Sequence, residues 1–103
     1  SMHQLYQDLS ERSEKLMHYI NLITQLPNAE DKSMCRIYDY LIQAALFSNM
    51  GISQKELEHE MKMTYNTVRS RLKRIPEGLL ITNKQGNRSF YLLNLKAVDE
   101  LLK

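Results

Sequence analysis

A chain of 103 residues and 12.2 kDa holds material for one domain with a modest core, and too little for two independent ones. Its 43% hydrophobic and 25% charged residues are ordinary for a globular protein, and no apolar run approaches the ~20 residues a membrane span needs, so no membrane partner is expected. The net charge of +2 does not by itself mark a nucleic-acid binder, while the single cysteine, Cys35, excludes an internal disulfide and suits a reducing, cytoplasmic compartment. Ser1 and Met2 read as the remnant of a removed tag joined to a natural start, and no secretory or transit segment is recognised after them.

Residues 3–26 carry Leu5, Leu9, Leu16, Ile20 and Ile23 at helical spacing, widened by Tyr6, Leu22 and Leu26, which predicts an amphipathic helix ended by Pro27-Asn28. A second helix is predicted from about Asp31 to Ser48, with Met34, Ile37, Tyr38, Leu41, Ile42, Ala45 and Leu46 on one stripe and Ser48-Asn49-Met50-Gly51 breaking it. Ser53-Gln54-Lys55-Glu56 reads as a capping box opening a short helix through Met61 with Leu57 and Met61 inward. After a tight corner at Met63-Thr64, Thr64 is a suitable N-cap for a helix over 64–75 that buries Val68, Leu72 and Ile75, and Pro76-Glu77-Gly78 stops it. The runs Leu79 to Thr82 and Ser89 to Leu93, joined by the polar segment 83–88, predict a β-hairpin. A last short helix over 95–102 carries Leu95, Val98, Leu101 and Leu102. The expected fold is therefore mainly α with a small β-hairpin, an α+β arrangement of an N-terminal amphipathic helix (3–27) followed by a domain over 31–103.

Charge is unevenly placed along this pattern. Between Lys62 and Arg88 there are seven basic residues, Lys62, Arg69, Arg71, Lys73, Arg74, Lys84 and Arg88, against the one acid Glu77, which leaves the rest of the chain net acidic. Concentrated positive charge is what phosphate binding requires, because neutralised phosphates release counterions. If Val68, Leu72 and Ile75 face inward, the 100° helical step sends Asn66, Arg69, Ser70 and Lys73 outward, with Thr67 and Arg74 beside them. Arginine and asparagine pair bidentately with guanine and adenine edges, and lysine suits phosphate. Tyr65, Asn66, Thr67, Arg69 and Ser70 are thus the candidate base readers, Lys73 and Arg74 the candidate backbone contacts, and Thr64 marks free amides at a positive dipole end. Lys84 and Arg88 sit on the hairpin tip, with Asn83, Gln85 and Asn87 as further donors. A lone basic residue on a helix is ordinarily only solvated; five between Lys62 and Arg74 with no acid among them form a patch.

On Ile52-Ser53-Gln54-Lys55-Glu56-Leu57, on Met63 to Leu72, and on Gly78-Leu79-Leu80 followed by Gly86 to Leu92, the chain resembles the winged helix-turn-helix superfamily over about residues 32–94, in particular small bacterial regulators of the MarR and ArsR kind. The resemblance implies a helix (64–75) in the DNA major groove and a wing (83–88) on the minor groove or backbone, where Arg88 could sense a narrow groove. It makes residues 3–27 an addition to the fold. That helix has a long apolar face that something must cover, which leads us to expect a homodimer built on it, with Val98, Leu101 and Leu102 contributing, reading two half-sites; the alternative is that the helix packs back on its own domain.

The expected function is sequence-specific binding of double-stranded DNA in transcriptional regulation. Two alternatives stay open: a plasmid or mobile-element protein acting in partition, replication or transfer, and a winged helix used as a protein-interaction module. His3, His18 and His59 are scattered without metal spacing, Cys35 and the six methionines read as packing residues, and no catalytic motif or phosphate loop appears. No enzyme activity, cofactor or small-molecule effector is expected.

Overall fold

The computed structural model describes residues 1–103. In chain order the elements are α1 (Met2–Leu22), a 3₁₀ turn (Ile23–Gln25), α2 (Lys32–Phe47), β1 (Ile52–Ser53), α3 (Gln54–Met61), α4 (Tyr65–Leu72), β2 (Leu80–Gln85), β3 (Arg88–Leu93) and α5 (Leu95–Leu101). The protein is mainly helical with one antiparallel three-stranded sheet, ordered β1-β3-β2.

Everything packs around α2, whose Met34, Ile37, Tyr38 and Leu41 are wholly buried because their three- and four-residue spacing stacks them on one face. The helix starts where the Asp31 side chain accepts from the Ser33 amide at 2.9 Å, a cap that satisfies one orphan N–H. Near its end Ala44, rather than the expected Ala45, is buried. Ahead of it, α1 tightens into the 3₁₀ turn and Leu26 is extended before Pro27, as the ring of a following proline requires. Ile23 and Leu26 are the buried residues of this N-terminal segment; Leu16, Tyr19 and Ile20 pack partly against the core, and Leu5 and Leu9 stand in solvent.

Gly51 joins α2 to β1 with φ of 116°, and a Cβ there would lie 2.5 Å from the Tyr91 carbonyl oxygen, so only glycine admits the close approach that lets β1 pair with β3. That pairing, Ile52 with Tyr91 and Ser53 with Phe90, adds a third strand to the expected hairpin. Two residues are too few for a period-2 pattern to register, which is why the sequence does not reveal the strand. Half of the expected capping box forms: Ser53 Oγ accepts from the Glu56 amide (3.1 Å), while the Glu56 carboxylate accepts from the Ser53 hydroxyl (3.2 Å) instead of the backbone amide.

The corner between α3 and α4 is a Schellman turn built on a non-glycine residue. Lys62 adopts φ of 54°, its amide donates to the His59 carbonyl (3.3 Å), and the Met63 amide donates to Glu58 (3.0 Å). Thr64 then caps α4, its hydroxyl accepting from the Thr67 amide at 3.2 Å. Helix α4 is shorter than predicted: it ends at Leu72, and residues 73–75 form tighter turns, with the Arg74 amide donating to Arg71 and the Ile75 amide to Leu72. Ile75 is nevertheless buried together with Val68 and Leu72.

The hairpin also differs from expectation. Its strands pair through Gln85 and Arg88, so only Gly86 and Asn87 turn. Gly86 has φ of 62° and Asn87 is not among the positive-φ residues, the signature of a two-residue type II′ turn. In α5 Val98 is buried and unavailable for an interface, whereas Leu101 is exposed.

Candidate nucleic-acid interface

Helix α4 presents two chemically distinct faces. Val68 and Leu72, with Ile75 just beyond, anchor it to the core. Tyr65, Asn66, Arg69, Ser70 and Lys73 are exposed on the outer side, with Thr64 at its start, while Thr67 is half-buried where its hydroxyl accepts from that of Thr64 at 2.9 Å. The inward positions fix the rotation of the helix, and the outward set follows from it.

Between this face and the hairpin run two adjoining open hollows of about 450 and 580 Å³, which share Tyr65, Arg69, Asn87, Ser89 and Tyr91. The first is bounded on the other side by Gln54, Lys55 and Glu58 of α3, the second by Lys73, Thr82 and Lys84. Arg69 stands at their junction, where its Nη1 donates to the Tyr91 hydroxyl at 3.3 Å. One guanidinium N–H is thereby used to aim the group and four remain free. The sequence pattern does not single out Tyr91, because alternation cannot say which of Phe90 and Tyr91 faces inward; in the structure Tyr91 is the buried one. Lys55, the second residue of α3, is likewise a lining residue that the sequence pattern does not single out.

Strand alternation separates the two basic residues of the hairpin. Lys84 pairs with Ser89 and shares the face of Thr82 and Tyr91, toward α4. Arg88 pairs with Gln85 and shares the opposite face with Phe90, over whose ring its guanidinium lies 5.3 Å from the centroid. Asn83, expected to offer its amide to a ligand, instead donates to the Met50 carbonyl at 2.7 Å and ties the base of the hairpin to the loop after α2. The hairpin is a laddered, anchored projection, and not the pliant loop that the polar run 83–88 suggested.

Two of the seven basic residues leave the patch. Arg74, expected to grip a backbone, has its Nη1 2.7 Å from Asp31 Oδ2, and Arg71 Nε donates to Ser33 Oγ at 2.8 Å. The Ser33 hydroxyl and amide and the Arg74 guanidinium all donate to Asp31 and hold its carboxyl well below the usual carboxylate range. Asn28 completes the cluster, its amide donating to the Arg74 carbonyl at 2.9 Å. This group fastens the C-terminal end of α4 to the start of α2. The exposed cations around the hollows are therefore Lys55, Arg69, Lys73, Lys84 and Arg88.

Compared with known proteins, the sequence matches no family model and no curated protein. No helix is long and apolar enough to cross a membrane.

Proposed function

We propose that this chain is a winged-helix protein that binds double-stranded DNA, with α4 in the major groove and the β2–β3 hairpin as the wing. Within that class we read it as a sequence-specific regulator of transcription that acts as a homodimer on two half-sites. The single observation that carries the reading is the outward set on α4, where Asn66, Arg69, Ser70 and Lys73 are all exposed while Val68 and Leu72 lock the opposite face. The element order α2, β1, α3, α4, β2, β3 with a three-stranded antiparallel sheet supports it, as do the five exposed cations that line the hollows.

On this reading each exposed side chain takes a role suited to its position. Asn66 and Arg69, early on α4, read base edges, and the Tyr91 hydroxyl keeps the Arg69 fork from swinging into solvent. Lys73, at the far end of α4, and Lys84, on the facing side of the hairpin, span phosphates on either side of the groove. Arg88 reaches the flanking minor groove or backbone from the other face of the wing.

Selection of bound sequences from random duplex DNA tests the proposal and is expected to enrich one motif. Arg69→Ala should cost about 1–3 kcal/mol and relax preference at one base pair, whereas Lys73→Ala should weaken all duplexes alike and lower the salt slope by about one. A selection that enriches nothing at moderate salt, or variants that bind duplex as the parent does, would refute it.

A further inference from the structure

Five of the eight large hydrophobic side chains that the protomer leaves exposed, Met2, Leu5, Tyr6, Leu9 and Met17, lie on α1. Residues 1–15 are exposed throughout, and the helix meets the body only in its last two turns, through Leu16, Tyr19 and Ile20. Leu5 is 61% and Leu9 50% exposed, yet steps of four and seven residues put both on the stripe that carries Leu16 and Ile20. Asp8, Arg12 and Lys15 lie in or beside that stripe, and none of them forms an ion pair within the protomer.

We infer that this stripe is covered by α1 of a second copy of the chain, running antiparallel about a twofold axis near residues 10 and 11. Charge selects both the occupant and the direction. With Leu5 set against Leu16 of the second copy and Leu9 against its Arg12, Asp8 falls beside Lys15 of the second copy, and the twofold repeats the contact with the roles exchanged. A parallel pairing sets Arg12 against Arg12 within the apolar seam and leaves Asp8 opposite Ser13 and Lys15 opposite Ile20, with no opposite charge for either. The antiparallel register also brings Met2 to Tyr19 of the second copy, a side chain held in place because its hydroxyl donates to Asp99 of α5 at 2.9 Å. An anionic lipid surface or a nucleic acid does not suit the exposed turns, since they carry the acids Asp8, Glu11 and Glu14 against the bases Arg12 and Lys15. The pairing rests on the homodimer proposed above and specifies its seam, but it needs no DNA, so a failed dimer and a failure to bind duplex are distinguishable.

Sedimentation equilibrium of the full chain at low salt, without DNA, is expected to show a dimer. Asp8→Lys alone or Lys15→Asp alone turns two attractions into two repulsions and should weaken the dimer roughly tenfold, and the double variant D8K/K15D should restore it. Both positions are exposed, so circular dichroism of each variant should match that of the parent. A monomer at about 100 µM, single reversals without effect, or a double variant no better than the singles would each overturn the inference.

Discussion

Arg69 and Arg74 lie five positions apart, and their surroundings give them opposite duties. Arg69 is exposed with a single tyrosine hydroxyl to aim it, while Arg74 is clamped to Asp31. Because Asp31 also caps α2, its loss should lower the melting temperature and loosen the far end of α4; Asp31→Ala should therefore reduce stability and DNA binding together, as followed by thermal melts and titration of a selected duplex. The sign of its pH effect follows from a lowered pKa: the contribution is full above the unfolded carboxylate value and is lost only as pH falls far into the acid range. Tyr38 behaves in the opposite sense. It is wholly buried, its hydroxyl donates to the Pro27 carbonyl at 2.7 Å, and burial pushes its pKa up to about 12. The folded state thus keeps a proton that the unfolded chain gives up near pH 10, so stability should be flat below about pH 9 and fall as pH rises between about 10 and 12. Tyr38→Phe should remove most of that slope in urea titrations repeated across the alkaline range.

At the scale of elements, the placement of α4 is set by the turn before it. Lys62 holds a left-handed conformation at a cost that glycine would not bear. Lys62→Gly should raise stability by about 0.5–1 kcal/mol, the relief of strain less the added freedom of the unfolded chain, measured by urea denaturation. The helices were largely legible in the sequence, because a capping side chain and a stripe of apolar residues are local signals: Asp31, Ser53 and Thr64 each start a helix where their side chains predict. The end of α4 was not. Its apolar period runs on to Ile75, and burial alone cannot distinguish an α-helical turn from the tighter turns that place Ile75 inward here. The extent of the hairpin is illegible for a related reason: polar residues at 83–88 look like loop, yet an exposed ladder places no hydrophobic demand on them and pairs through its backbone.

For the whole molecule, the relevant charge is what remains free once the chain has folded. On the DNA reading proposed above, setting aside Arg71 and Arg74 and giving Arg69 to base edges leaves four cations around the hollows, Lys55, Lys73, Lys84 and Arg88, for phosphates. The logarithm of affinity for generic duplex should accordingly fall with the logarithm of salt at a slope of roughly −3.5 per protomer, measured by anisotropy over a range of salt concentrations. A slope near −6 per protomer would mean that the Asp31 cluster opens on DNA.

The sequence by itself determined the helices of α1 to α4, the hairpin, the inward positions on α2 and α4, and hence the outward set from Asn66 to Lys73, because periodicity and capping act over a few residues. Tertiary structure alone decided that Tyr91 aims Arg69, that Arg74 is withdrawn by Asp31 forty-three positions away, that Lys84 and Arg88 point to opposite sides, and that β1 completes the sheet. Each of those depends on which distant backbone comes within hydrogen-bonding reach, and no local pattern encodes a distance between segments that only the common core brings together.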